Sequence, residues 1–324
     1  MSYALGVDGG ATKTVALIAD RAGRVLGAGR SGSSDIHNET TPGIAIDNVV
    51  ASIREAASTA SVRSSDLSSC VLGLCGADWP EDVALYERTV TERVGLAHKP
   101  EVVNDAFNTL RAGTSDGVGV ALVMGTGGAV SARGPGGSTW FSGERMEATG
   151  ALEFGRWAFD RIIGGAYGSG PVPTFQGAAL AAYGVGSVEE MVHVITRSGG
   201  LGRRSVARLA PIVLHAGHAG DAAVLALVRS HGALLAGYIR RAAERVGLPP
   251  EGAPVTLAGG LFKHQDTELR DALETSLPGY RIDACRPEPV YGAVLAAADG
   301  QGWQPDVETL ITTGPGRSFF DTVG

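Results

Sequence analysis

Asp8-Gly9-Gly10-Ala11-Thr12-Lys13-Thr14, directly after the apolar run Tyr3 to Val7, combines a carboxylate, two adjacent glycines, three donors and one cation. Adjacent glycines in a turn between strands let backbone amides approach an anion, and Thr12, Lys13 and Thr14 add side-chain donors. Such a loop can grip phosphate, and Asp8 at the strand end is placed to hold a hydrated Mg2+ that bridges phosphates. An ordinary Gly-Gly hairpin with a solvated lysine fits the same residues. The loop is not a Walker A motif, because Thr12 stands where that motif needs glycine. A literal GxGxxG at Gly27-Ala28-Gly29-Arg30-Ser31-Gly32 is followed by Ser33-Ser34-Asp35 and then Pro42 rather than by an immediate helix, so it does not read as a dinucleotide site.

Three further segments carry chemistry. Val102-Val103-Asn104-Asp105 ends an apolar run in a carboxylate. From there Asp105 can accept the proton of a hydroxyl that attacks a γ-phosphorus, although it could also cap the next helix. Gly125-Thr126-Gly127 lies between the apolar runs 118–124 and 129–133, so a second glycine loop is available for the same polyphosphate. Leu257-Ala258-Gly259-Gly260 ends a strand in two small residues, which leaves room for a purine ring or its ribose, although a plain strand-to-helix turn explains the glycines as well.

The elements that position these residues are set by periodicity. Short apolar runs predict strands at 3–7, 14–19 and 25–30, with the turn formers Asp20 to Gly23 between the last two. Helical spacing behind Thr41-Pro42 predicts a helix to Ser61. A strand at 70–74, a helix at 80–94, a strand at 101–103 and a helix at 106–112 come next, and this alternation argues for a parallel sheet. A second β-rich passage covers 118–141, helices are expected at 149–165, 174–184, 187–197, 202–217 and 219–247, and a strand at 255–258. After Trp303 no period is evident, and the tail reads as irregular.

The chain has 324 residues, 44% of them hydrophobic and 19% charged, with 48 glycines and a net charge of −7. That composition buries a core, and the negative charge gives no basic footprint for nucleic acid or an acidic lipid surface. Cys70, Cys75 and Cys285 form no CxxC pair and leave an odd thiol, which points to a reducing cytoplasm and not to a disulfide scaffold. Neither a signal peptide nor a membrane span is expected, since no apolar run of 18 residues is evident. His215 and His218 read as ordinary histidines for want of a nearby acidic partner.

The order Asp8-Gly9-Gly10 with Thr12-Lys13-Thr14, then Asn104-Asp105-Ala106, then Gly125-Thr126-Gly127, then Ala258-Gly259-Gly260 resembles the phosphate, catalytic, second phosphate and adenosine motifs of sugar kinases in the actin/hexokinase/Hsp70 superfamily. Within it the chain is most similar to the N-acetylglucosamine kinase group, related to the BadF/BadG/BcrA/BcrD-type ATPases. The resemblance implies an α/β fold of two actin-like, ribonuclease H-like lobes, each a mixed five-stranded sheet flanked by helices, with ATP and sugar between them. The lobes are expected at 1–112 and 113–324, with the helix at about 289–300 a candidate to pack back on the first. It implies Asp105 as general base and Asp8 as the Mg2+ ligand. ATP falls to Gly9, Gly10, Thr12, Lys13, Thr14, Gly125, Thr126, Gly127, Gly259 and Gly260. The sugar falls to Asp35, Asn38, Asn104, Asp105 and Glu153, and a homodimer is expected.

The chain departs from the group's pattern at two places. Ala11 replaces a third loop glycine, and Ala151 in Gly150-Ala151-Leu152-Glu153 replaces a sugar-binding aspartate, so Glu153 is the remaining candidate there. The expected activity is transfer of the γ-phosphoryl of ATP to an amino sugar or hexose. The alternatives are a BadF-type ATPase that activates a dehydratase or reductase, and a catalytically silent sugar sensor.

Overall fold

The computed structural model describes residues 2–37, 41–143, 146, 150–263 and 266–321. The chain opens with the antiparallel strands β1 (Tyr3–Gly9), β2 (Thr14–Ala19) and β3 (Val25–Ser31). Between β2 and β3, Asp20 Oδ1 accepts from the amides of Ala22 and Arg24, both at 3.0 Å, the local bonding that makes aspartate a turn former. Helix α1 (Pro42–Ala60) starts behind an extended Thr41 with proline at its first position, where a missing N–H costs nothing.

β4 (Leu67–Leu74), α2 (Pro80–Val94), β5 (Glu101–Val103) and α3 (Ala106–Gly113) come next. The first sheet has the order β3-β2-β1-β4-β5, with β1, β4 and β5 parallel. Asp8 is paired in register with Gly73, and Gly73 with Val103. The carboxyl ends of the three parallel strands therefore meet at one edge, where open α/β sheets bind ligands.

The second sheet, β10-β9-β6-β7-β8, is built from β6 (Gly119–Met124), β7 (Gly128–Arg133), β8 (Thr139–Phe141), β9 (Pro254–Ala258) and β10 (Arg281–Ala284). Helices α4 (Ala151–Ala166), α5 (Gln176–Tyr183), α6 (Val188–Thr196), α7 (Ala210–His218) and α8 (Ala222–Arg245) precede β9, and α9 (Glu268–Ser276) comes after it. The chain ends with α10 (Pro289–Asp299) and α11 (Val307–Thr313). Two compact units result, one of residues 1–121, 131–141 and 283–324, the other of 122–130 and 142–282.

In the first unit both faces of the sheet are covered, which is why its central strands read as unbroken apolar runs. Leu5, Val7, Ala16 and Ile18 join a core with α1 and α2, and Ala4, Val15, Leu17 and Ala19 join another with α10. The Gly27 and Gly29 of the GxGxxG string exist for packing: a Cβ there would lie 2.2 Å from Ala56 O and 2.0 Å from Ser52 O of α1.

Four features differ from the expectations of the sequence. The helix expected at 202–217 is a 3-10 segment, Arg203–Leu209, leading into α7, where Pro211 in the first turn marks the new start. The tail is helical at α11, because Asp306 Oδ2 caps the Thr309 amide at 2.9 Å. α9 and β10 carry too weak a period to be seen. α8, at 24 residues, is long and apolar enough to cross a membrane by length and composition alone, contrary to the expectation that no such stretch exists. Its alanine-rich face, with Val224, Val228, Leu235 and Ile239, is buried in the second unit.

Candidate active site

The carboxyl edge of the first sheet carries Asp8 at the end of β1, Cys75 and Asp78 just beyond β4, and Asp105 just beyond β5. Asp105 stands at the N-terminus of α3 but makes no side-chain cap bond there. Asn104 serves that helix end, its Oδ1 accepting from the Ala106 amide at 3.1 Å. The nitrogen of the same side-chain amide, Nδ2, donates to Asp78 Oδ1, also at 3.1 Å. Burial pushes the Asp105 carboxyl up to about 8, with the charges of Asp8, Asp78 and Asp35 adding to it and outweighing the Ala106 amide, which favours the ionised form. A carboxyl held near neutrality in this way is suited to taking a proton at physiological pH.

Asp8 is held by Asn108 of α3, whose Nδ2 donates to Asp8 Oδ1 at 2.9 Å and to Val7 O at 3.1 Å. Among the described residues no group of three or more His, Cys, Asp or Glu forms a metal cage. A carboxylate beside a glycine loop fits what Mg2+ takes from a protein, because that ion keeps its waters and takes one or two carboxylates plus phosphates.

In the adjoining loop the Gly10 amide donates to Lys13 O at 2.8 Å, and Gly10 O accepts from Ser34 N at 3.1 Å. Thr12 is exposed. Thr14 is buried, with its hydroxyl donating to Gly32 O at 2.8 Å. Lys13 Nζ donates to Phe320 O and stands 6.0 Å from the Phe320 ring centre, so the tail meets this loop within the first unit. A Cβ on Gly9 would sit 2.4 Å from Ser34 Oγ, whereas one on Gly10 would meet nothing closer than 3.7 Å. Gly9 is therefore a packing glycine, and Gly10 has open space in front of it.

Beyond β3, Asp35 is 7% exposed, with its Oδ1 accepting from the His37 amide at 3.0 Å. His37 Nε2 lies 3.2 Å from Asp82 Oδ2 and thereby ties this loop to the first turn of α2. Asn38 falls outside the described residues.

The remaining glycine loops belong to the second unit. Gly125-Thr126-Gly127 joins β6 to β7, and the start of α4 is anchored on it: Ala151 N donates to Gly125 O at 2.9 Å and Leu152 N to Thr126 O at 3.0 Å. Gly150 permits this approach, since a Cβ there would come within 2.3 Å of the Gly127 carbonyl. Gly259 takes φ +97° and lies against Met124, a conformation and a closeness that exclude side chains, while Gly260 and Gly127 have nothing within 4 Å of where a Cβ would be. A cavity of about 250 Å3 is lined by Gly125, Thr126, Ala151, Ala207, Pro211, Leu214, Gly260 and Leu261. Its walls are apolar and its floor is two glycine loops, which suits a flat base and its ribose.

Glu153 sits in the first turn of α4, near enough to His231 for its charge to act on that ring. His231 is 8% exposed and is held in its neutral form chiefly by burial. His215 and His218 do have acidic partners, Asp266 and Glu268, within 4 Å. These come from the segment leading into α9, far away in sequence, which is why spacing alone missed them.

Asp78, Asn108 and the α7 wall were not picked out from the sequence. Asp78 could have been found by looking for carboxylates in the few residues beyond the carboxyl end of each parallel strand. Asn108 could have been found as a polar residue in the first turn of a helix where Ala106 and Leu110 are buried.

Residues 5–297 match the model of the BadF/BadG/BcrA/BcrD ATPase family. An N-acetylmuramic acid/N-acetylglucosamine kinase of Clostridium acetobutylicum is 25% identical over 92% of this chain and 98% of its own length. An N-acetyl-D-glucosamine kinase of Dictyostelium discoideum is 31% identical over 38% of this chain and 41% of its own. A solved structure from Chromobacterium violaceum, assigned provisionally as an N-acetylglucosamine kinase, superposes with a TM-score of 0.71 at 24% identity, covering 90% of this chain and 98% of that one.

Proposed function

Because the chain belongs to the BadF/BadG/BcrA/BcrD ATPase family, and because its first sheet gathers Asp8, Asp78 and a half-buried Asp105 at one edge, we propose that it is an ATP-dependent kinase acting on a hydroxyl of an amino sugar or hexose. Two curated relatives that are kinases of this kind support the reading. The observation that carries it is the placement of Asp105 just beyond the parallel strand β5, in reach of the charges of Asp8 and Asp78, which with burial push its carboxyl up.

In this mechanism Asp105, once ionised, accepts the proton of the acceptor hydroxyl while that oxygen forms a bond to the γ-phosphorus and the bond to the β,γ-bridging oxygen breaks, releasing ADP. Asp35, Asn104 and Glu153 are the candidate acceptor ligands. Asn104 acts at least by fixing Asp78 beside Asp105. Thr12 and Lys13 are the phosphate donors on the first unit, and the open space at Gly10 lets a phosphate approach the loop. Gly125 to Gly127 with Gly260 receive phosphate and nucleoside on the second. Asp8 would hold Mg2+, which when bound offsets charge on the phosphates.

The activator reading finds little support, since an iron–sulfur cluster needs thiolates. Burial pushes Cys70 up to about 12 and Cys75 up as well, which disfavours that form. The test is to incubate the protein with ATP-Mg2+ and glucosamine, N-acetylglucosamine, N-acetylmuramic acid or glucose, and to measure ADP and sugar phosphate. Sugar-dependent formation of both in equal amounts is expected; ADP formation indifferent to every sugar would remove the kinase reading.

A further inference from the structure

We infer that Asn108 is a positioning residue that sets the Asp8 carboxylate for a nucleotide-bound divalent cation, an inference that rests on the function proposed above. Asn108 is 1% exposed and has one amide group with two hydrogens to place. One goes to Asp8 Oδ1 at 2.9 Å and the other to the Val7 carbonyl at 3.1 Å. The same side chain thus grips the backbone of β1 and the carboxylate that ends it, which fixes where that carboxylate points relative to its strand. A buried amide does this without neutralising the aspartate, whereas a lysine or arginine here would compete with the cation for it.

The surrounding chain is shaped around this side chain. A Cβ on Gly73, the β4 partner of Asp8 in register, would lie 2.2 Å from Asn108 Nδ2, so β4 carries no side chain where the amide passes. A Cβ on Gly292 of α10 would lie 2.0 Å from Asn108 O, so α10 packs directly on the turn of α3 that presents it. Gly73 thus makes room for the asparagine side chain itself, space that an alanine at 108 would not need, while Gly292 makes room for the α3 backbone that carries it. Asn104, two residues before α3 begins, holds Asp78 through its own side-chain amide. The side chains at and near the entry of α3 thereby fix the two carboxylates, Asp8 and Asp78, whose charges act on Asp105.

A role confined to pinning α3 to β1 through Val7 makes a different prediction, because it affects stability and leaves metal affinity alone. Partners of metal ligands typically change metal affinity by about 10–100-fold when lost. The experiment is titration of Mn2+, followed by electron paramagnetic resonance, into protein saturated with a non-hydrolysable ATP analogue, for wild type, Asn108→Leu, Asn108→Ser and Asp8→Ala. Asn108→Leu keeps most of the volume and removes the donor; Asn108→Ser keeps a small hydroxyl and serves if the leucine variant does not fold. Mn2+ binding weakened about tenfold or more in the folded Asn108 variants, as in Asp8→Ala, is expected. Mn2+ affinity within about twofold of wild type in the folded variants, whatever their melting temperatures, would overturn the inference. If Asp8→Ala itself leaves Mn2+ affinity unchanged, the reading of Asp8 has failed and the inference falls with it. If Asp8→Ala alone loses the metal, only the inference about Asn108 fails.

Discussion

The carboxyl edge of the first sheet collects Asp8, Asp35, Asp78 and Asp105 in a partly buried place, whereas the cavity of the second unit, walled by Ala151, Ala207, Pro211, Leu214 and Leu261, has no charged side chain in its lining. On the function proposed above, the two regions solve different problems. Moving a proton at neutral pH needs a carboxyl made uncomfortable by burial and like charge, and that discomfort costs stability. Holding a flat nucleoside needs space and apolar surface, and the floor of glycines supplies both without a charged group.

The largest expected effect separates the regions directly. Asp105→Ala should lower sugar-dependent kcat by about 10²–10⁴-fold and leave nucleotide affinity, measured by calorimetry, within about twofold. A turnover within about threefold of wild type would take Asp105 out of the chemistry. Gly260→Val should do the reverse. Its side chain has open space in the protein itself, so the fold should persist while ATP binding weakens by about tenfold or more, equivalent to 1.4 kcal/mol per decade. Unchanged affinity in a folded variant would mean that the cavity holds something other than the nucleotide.

Ala151 sharpens the boundary between the regions. By resemblance it stands where a sugar-binding aspartate is expected, yet its side chain lines the cavity beside Gly125 and Thr126. Ala151→Asp should therefore weaken ATP several-fold by like-charge repulsion and leave the order of preference among sugars alone. A changed ranking of kcat/KM for glucosamine, N-acetylglucosamine and glucose, with ATP unaffected, would assign the start of α4 to the acceptor instead.

The smallest effect concerns stability. The folded-state pKa of Asp105, about 8, lies above the ordinary carboxyl value of about 3.9. The folded state thus binds this proton more tightly, and the stability it contributes is full below about pH 4 and is lost as pH rises through about 8. Asp105→Asn removes that loss, so its melting temperature should exceed wild type by more at about pH 8.5 than at about pH 5.5. Each kcal/mol recovered is worth about 2–4 °C for a domain of 150–250 residues. An equal difference at both pH values would show that Asp105 is not perturbed in the folded protein.

Much of the first region was legible in the sequence, because strand ends and adjacent glycines are local signals. β1 to β3, α1, α2 and β5 fall within a few residues of where periodicity puts them, and both five-stranded sheets are present. The distinction between Gly9, which packs on Ser34 and Leu74, and Gly10, which faces open space, was not legible, since both come directly after Asp8 and only tertiary contacts tell them apart. Asn108 was hidden for the same reason: its worth lies in a hydrogen bond to a residue 100 positions away. The cavity wall from Ala207 to Leu214 was read as plain helix. Its shape comes from a 3-10 segment giving way to α7 around Pro211, a break that helical periodicity passes over.

The account turns on a proton-accepting Asp105, and the pH dependence of kcat/KM for the sugar, measured at saturating ATP-Mg2+, tests it most directly. At saturating ATP-Mg2+ that profile reports the essential base of the nucleotide-bound protein, the form that meets the sugar. A single rising limb is predicted, with its midpoint at about 8 or somewhat below it where a cation on Asp8 offsets one of the neighbouring charges, and a plateau above. A flat profile from about pH 5.5 to 9, with turnover still dependent on sugar, would contradict it.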